Sequence, residues 1–81
     1  MFGWLKRRRL SDRTQRRLRI ALARAEEDLM DTHVQNILDV YEAVASELSL
    51  ADVMEAYFDA VEENERRPEI VARRVLATLN R

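Results

Sequence analysis

The sequence has no cysteine, a single glycine at position 3 and a single proline at position 68. Without cysteine, neither a disulfide nor a thiolate metal site can reinforce a chain of 81 residues, which is near the lower size limit for an independent core. No run approaches the roughly 18–20 apolar residues of a membrane-spanning helix. The apolar N-terminal stretch precedes the positive charges and is shorter than the ~7–15 residues of a secretory signal. We therefore expect one cytoplasmic domain, stabilised by well-packed helices or by association of two copies.

Helix-forming residues dominate the chain, and no segment alternates apolar and polar residues with β-branched side chains, as strands do. Nothing between residues 4 and 67 breaks a helix strongly. The sequence predicts an all-α fold, a small bundle of three or four helices at about 11–30, 33–47, 50–65 and 68–80. The bundle domain is predicted to span residues 11–81, after a separate basic and aromatic segment at 1–10.

The apolar residues of the first two predicted helices form two stripes that are out of phase. The first stripe consists of Leu18, Leu22, Ala25 and Leu29, and the second of Met30, Val34, Ile37, Tyr41, Val44 and Leu48. The change of phase predicts a break or kink near residues 30–33, where Thr32 and Gln35 match a capping box. One long kinked helix over 11–47 is the alternative.

The remaining helix starts carry their own signals. Ser11 suits the N-cap of the first helix, Ser49 and Asp52 resemble a capping pair before the third, and Pro68 suits the first position of the fourth. The third helix is expected to bury Leu50, Val53, Met54, Tyr57, Phe58 and Val61, and the fourth Ile70, Val71, Val75, Leu76 and Leu79. Further apolar residues widen the second stripe, which predicts a central position for the second helix; they are Leu38, Val40 and Ala45.

Charge is segregated along the chain, although the net charge is only −1. Residues 1–24 carry nine Lys or Arg against one acid, residues 25–65 carry thirteen acids and no Lys or Arg, and residues 66–81 carry five Arg against one acid. Basic helices could therefore pair with acidic ones inside the fold or between two copies. Alternatively, a basic face could be presented to an external anion.

Catalytic and metal-binding patterns are weak. Nucleophilic catalysis needs a hydroxyl or thiol activated by a base, but His33 is the single histidine and all three serines occupy predicted caps. The Glu-x-x-His pair of di-iron bundles is absent, because Met30 stands three residues before His33. We expect a protein that is not an enzyme and has no catalytic residue, metal or other cofactor.

The N-terminal anchor segment combines large apolar side chains with four consecutive cations; its residues are Phe2, Trp4, Leu5, Lys6, Arg7, Arg8 and Arg9. Aromatic side chains beside cations favour the surface of an anionic membrane. They also suit a groove on a protein partner, where the aromatic side chains would be anchors and the arginines a rim. Nucleic acid is a third candidate ligand, and in a fourth interpretation residues 1–9 fold back so that Trp4 fills an edge of the core.

Taken together, these patterns predict a small cytoplasmic adaptor or regulator that acts through protein–protein contacts and forms a homodimer, with an N-terminus suited to peripheral association with the inner face of a membrane. Its predicted basic face consists of Arg13, Arg16, Arg17 and Arg24, and its predicted acidic face of Glu42, Glu47, Glu55, Asp59, Glu62 and Glu63. One alternative is nucleic-acid binding through the arginine-rich segment 6–24. Another is an acidic-faced inhibitor of a basic protein.

Overall fold

A computed structural model describes residues 9–28, 32–64 and 67–80, and within these ranges the chain forms four helices and no strand. The helices are α1 (Asp12–Glu27), α2 (His33–Val44), α3 (Leu50–Asn64) and α4 (Pro68–Leu79). Each helix packs against two others, in the ring order α1, α2, α3, α4 and back to α1. The prediction of a small all-α bundle is confirmed with four helices. Because Asp28 has already left the helix, α1 and α2 are separate elements.

Two of the predicted caps are present. The Ser11 hydroxyl accepts a hydrogen bond of 3.2 Å from the Thr14 amide at the start of α1. Before α3, the Asp52 amide donates to the Ser49 hydroxyl over 3.2 Å, and the Ser49 amide donates to the Asp52 carboxylate over 3.3 Å. These reciprocal bonds satisfy amides that have no partner within the helix itself.

The predicted capping box before α2 is wrong. Thr32 occupies the N-cap position, but its side chain makes no capping hydrogen bond. Gln35 does not reach back to Thr32, because its amide donates to Asp39 one helical turn further on, over 2.9 Å. The helix nevertheless begins where the change of phase predicted it.

The core draws on all four helices, on Leu10 before them and on Leu48 in the connection between α2 and α3. Leu10 is buried, its amide donates to Oδ1 of Asn80 over 3.1 Å, and its carbonyl accepts from the Gln15 side chain over 2.7 Å. The largest fully buried side chains are Tyr57, Leu18, Leu79, Val40, Val44, Val53, Val71 and Val75. Residue 10, which the sequence assigned to the N-terminal segment, therefore packs with the bundle.

The predicted buried face of α3 is partly wrong. Val53 and Tyr57 are buried, but Leu50, Met54 and Phe58 are 38%, 41% and 48% exposed. In their place the core takes the small side chains Ala56 and Ala60. The side of α3 that carries Ala56 and Ala60 therefore faces the interior of the ring. Because these side chains are small, neighbouring helices can approach closely there. A ridge of larger side chains is left outside.

The predicted central position of α2 is also wrong. This helix has only two helical neighbours, α1 and α3, so its wide apolar face cannot be covered completely. Ile37, Val40 and Val44 are buried, whereas Val34 and Leu38 are 71% and 49% exposed. Ala45 is exposed as well, and Leu29 and Met30 of the two stripes lie outside the described residues.

Candidate functional site

The N-terminal anchor segment lies almost entirely outside the described residues. Arg9 is the one member inside them, and it is exposed. The positions of Phe2, Trp4, Leu5, Lys6, Arg7 and Arg8 therefore stay predictions. The structure does locate the point at which this segment joins the bundle.

The chain joins the bundle where α1 begins, beside the connection from α2 to α3. The Ser11 amide and hydroxyl both donate to the Glu47 carboxylate, over 3.1 and 2.9 Å, and the Thr14 hydroxyl donates to the same carboxylate. The hydroxyls of Thr14 and Ser11, followed by the Ser11 amide, lower the pKa of Glu47. Although Glu47 is exposed, it holds two parts of the chain together and is not simply a member of an acidic face.

An apolar surface lies on the ridge that α3 leaves outside the core. Leu50, Met54 and Phe58 follow one another at intervals of four residues, so their side chains form one continuous row along the helix. Tyr57, next to this row, bonds to α2, whereas Glu63, on the other flank, pairs with Arg74 of α4 over 2.9 Å. Helical geometry therefore places the row on the flank of α3 that is directed towards α2.

The exposed apolar residues of α2 continue this surface. Asp39 and Ala43 line a pocket shared with α1, which identifies the α1 flank of α2. By helical spacing, Val34 and Leu38 lie on the other side of α2. We define the α2–α3 surface by its exposed apolar members: Val34, Leu38, Leu50, Met54 and Phe58.

The predicted acidic residues are not all in one place. Glu55, Asp59 and Glu62 are exposed together on the outer side of α3, next to the apolar row, and form an acidic rim. The others are distributed elsewhere, with Glu42 in the pocket between α1 and α2, Glu47 at the start of α1 and Glu63 beside α4. The structure thus brings three of the six predicted acids to the α2–α3 surface.

The predicted basic face lies on another side of the molecule. All its members are exposed on α1; they are Arg13, Arg16, Arg17 and Arg24. None of these arginines forms an ion pair with the described residues, whose one salt bridge joins Arg74 to Glu63. Helices α1 and α3 occupy opposite corners of the ring and do not contact each other. The basic helix α1 does face acidic residues of α2, because Arg17 and Arg24 line a shared pocket with Asp39 and Glu42.

A polar cluster joins α2 and α3, with Asn36 and Tyr57 buried and His33 exposed. The Tyr57 hydroxyl accepts from the Asn36 amide over 2.9 Å and lies 2.7 Å from Nδ1 of His33. The rings of His33 and Tyr57 meet edge to face at 5.5 Å. Burial raises the pKa of Tyr57, and the hydrogen bond from Asn36 partly opposes this change. The cluster fixes the position of Tyr57, beside which Phe58 stands exposed.

The pocket between α1 and α2 has a volume of about 190 Å³. Arg17 and Arg24 line one side, and Asp39 and Glu42 line the other. Ligand pockets usually enclose about 300–1,000 Å³, so this depression is small for a substrate. Within the described ranges, no three His, Asp or Glu side chains are grouped as a metal site would require, and no helix is long and apolar enough to cross a membrane.

No protein family model matches the chain, and neither a curated protein nor a solved structure is significantly similar to it. The site is therefore defined by its own geometry.

Sequence reasoning missed the α2–α3 surface, because it assigned every large apolar residue of α3 to the core. A signal was present in the spacing. Ala56 and Ala60 form a second row at an interval of four, beside Val53 and Tyr57. Two parallel rows on one helix of a small ring cannot both face the interior, and the row of small residues is the one suited to close packing.

Proposed function

We propose that this protein is a small adaptor or regulator without enzymatic activity, which binds a protein partner through the α2–α3 surface. The observation that carries the proposal is the row of Leu50, Met54 and Phe58, which is exposed along one flank of α3. Exposed apolar patches rimmed by polar residues are typical of interaction sites. Aromatic residues and methionine are enriched at such contacts.

The charge around the surface favours a basic partner. Helices α2 and α3 contain no Lys or Arg, and the acidic rim of Glu55, Asp59 and Glu62 borders the apolar row. An amphipathic helix with an apolar face and flanking cations has the complementary chemistry. An inhibitor of a basic protein would use the same surface. The homodimer stays a prediction, and a two-fold contact through this surface would bring the acidic rims of both copies together.

Binding of designed peptides tests the partner class. We expect a synthetic helix with Leu on one face and Lys on the other to bind, and a matched Leu/Glu helix to bind at least tenfold more weakly, a difference of about 1.4 kcal/mol. Combining Met54→Glu with Phe58→Glu should abolish binding of the Leu/Lys peptide. Ile20→Glu is the control, because Ile20 is also an exposed large apolar residue but lies on α1, away from this surface.

Equal affinity for both peptides would contradict the acidic rim as a determinant. Loss of binding in Ile20→Glu alone would move the site to α1. Circular dichroism of each variant checks that the bundle is still helical, which we expect because all three positions are exposed.

A second proposed role is reversible association with the inner face of an anionic membrane, from the cytoplasm. The support lies in Phe2 and Trp4 next to the cations at 6–9, together with the exposed arginines of α1. Co-sedimentation with anionic and neutral vesicles at two salt concentrations tests it, with Phe2→Ser/Trp4→Ser as the variant that should lose binding. Absence of lipid binding, with salt-dependent binding to DNA instead, would favour the nucleic-acid alternative through residues 6–24.

A further inference from the structure

The N-terminal anchor segment joins the bundle beside one end of the α2–α3 surface. The bonds from Leu10 to Asn80 and from Ser11 to Glu47 fix the chain at the end of the bundle where α3 begins. Leu50 follows Glu47 by three residues, a separation of at most about 11 Å at 3.8 Å per residue. The first residue of the apolar row thus lies close to the point where the segment joins the bundle.

The segment is long enough to cover the row. Eight residues, from 2 to 9, span up to about 27 Å when extended, at roughly 3.4 Å per residue. From Leu50 to Phe58 the row extends over eight helical steps, or about 12 Å at 1.5 Å per residue. With the separation of up to about 11 Å between the junction and Leu50 included, Met54 lies within about 17 Å of the junction and Phe58 within about 23 Å. Trp4, six residues from Leu10, can extend about 20 Å and reach Met54, and Phe2, eight residues away, can extend about 27 Å and reach Phe58.

The chemistry of the segment complements the surface. Its apolar residues match the exposed row, and its four cations match a region of the chain that has acids and no Lys or Arg. Acids lie along this route: Asp12 follows the junction at the start of α1, Glu47 stands in the α2–α3 connection, and Glu55 borders the apolar row on α3. A path from Leu10 along α3 would pass the cations beside these acids and then bring the aromatic residues to the apolar row.

We propose that residues 2–8 of this chain occupy the α2–α3 surface of the same molecule until a basic partner or an anionic membrane displaces them. This regulation rests on the proposed function, because it concerns access to the proposed binding surface. Phe2 and Trp4 cannot lie in a membrane and on α3 at once. Membrane binding therefore uncovers the α2–α3 surface, and a partner bound there frees the anchor.

Tryptophan fluorescence of the full-length protein tests the contact, because Trp4 is the only tryptophan. In the wild type we expect a blue-shifted emission that is protected from iodide. Met54→Glu/Phe58→Glu should shift the emission to the red and expose Trp4 to iodide, whereas the control Ile20→Glu should change neither. Far-UV circular dichroism verifies that the variants stay helical.

Two results would overturn the contact. An emission that Met54→Glu/Phe58→Glu does not alter would show that Trp4 is not on this surface. A blue shift that disappears on dilution would show that a second copy of the chain, and not the same molecule, supplies the segment. A shift that is independent of concentration and lost in the double variant supports the proposal.

The Leu/Lys peptide separates failure of this inference from failure of the proposed function. If the segment covers the surface, Phe2→Ser/Trp4→Ser should bind the peptide severalfold more tightly than the wild type does. Equal affinity would refute the covering segment and leave the binding surface standing. Absence of binding in both proteins would refute the binding surface, whereas the response of Trp4 to Met54→Glu/Phe58→Glu would still decide the contact.

Discussion

The hydroxyl of Tyr57 on α3 accepts a hydrogen bond from the side chain of Asn36 on α2, and both residues are buried. This bond crosses the contact between the two helices that carry the exposed apolar residues. Since buried polar groups are costly unless paired, the pair favours one relative position of α2 and α3 over others that have similar apolar burial. The α2–α3 surface thus lies on two helices that are joined by a buried hydrogen bond.

Replacing Tyr57 by phenylalanine should destabilise the bundle by about 1–3 kcal/mol, because a buried amide loses the acceptor that Tyr57 provides. Urea unfolding measures the change. Tyr41→Phe is the control, since Tyr41 is only half-buried, and it should cost less than about 0.5 kcal/mol. Equal losses of unfolding free energy at both positions would show that the hydrogen bond with Asn36 does not contribute measurably to stability.

Acid should weaken the junction between α1 and the α2–α3 connection. The pKa of Glu47 in the folded chain lies below its ordinary value of 4.5, so folding favours the ionised carboxylate. Its contribution is complete above that ordinary pKa and is lost as the pH falls through the lower folded pKa. Urea unfolding at several pH values should show that the advantage of the wild type over Glu47→Gln shrinks as the pH falls below about 4.5.

The matched control for that experiment is Glu55→Gln, an exposed carboxylate on the outer side of α3. If the two variants show the same pH profile, the bonds from Ser11 and Thr14 do not favour ionisation of Glu47.

Replacement by alanine should lower stability more at Ser49 than at Thr32, because only the Ser49 side chain makes a capping hydrogen bond. Ser49→Ala removes a reciprocal cap with Asp52 and should cost about 1 kcal/mol. Thr32→Ala removes no capping bond and should cost less than about 0.5 kcal/mol. Thermal or urea unfolding compares them, and a larger loss at Thr32 would contradict the described cap geometry.

The same truncation at a buried and an exposed leucine tests the phase of the helices. Leu18 is fully buried and Leu38 is 49% exposed. Leu18→Ala should cost about 2–5 kcal/mol, the range for a core leucine. Leu38→Ala should cost less than about 1 kcal/mol, because a position this exposed loses less buried area and leaves no closed cavity. Similar losses at both sites, measured by urea unfolding, would place Leu38 in the core.

Local signals predicted the elements better than their orientation. Ser11, the Ser49–Asp52 pair and Pro68 marked helix starts, because capping depends on residues within one turn of each other. The orientation of α3 depends on its neighbours. Leu50 and Ala56 could each belong to a buried stripe, and only the ring of four helices determines which row faces inward. The predicted acidic residues likewise do not share one face, because their positions depend on contacts between distant parts of the chain. Glu47, for example, bonds to the start of α1, more than 30 positions away in the sequence.

The position of α1 and α3 at opposite corners also makes the molecule an electric dipole. Helix α1 carries five arginines against three carboxylates, a net charge of +2, whereas α3 carries five carboxylates and no Lys or Arg, a net charge of −5. Near an anionic plane the torque on this dipole turns α1 towards the plane and α3 towards the solvent, before any side chain makes contact. The molecule would then arrive already oriented, with Met54 and Phe58 on the side away from the plane.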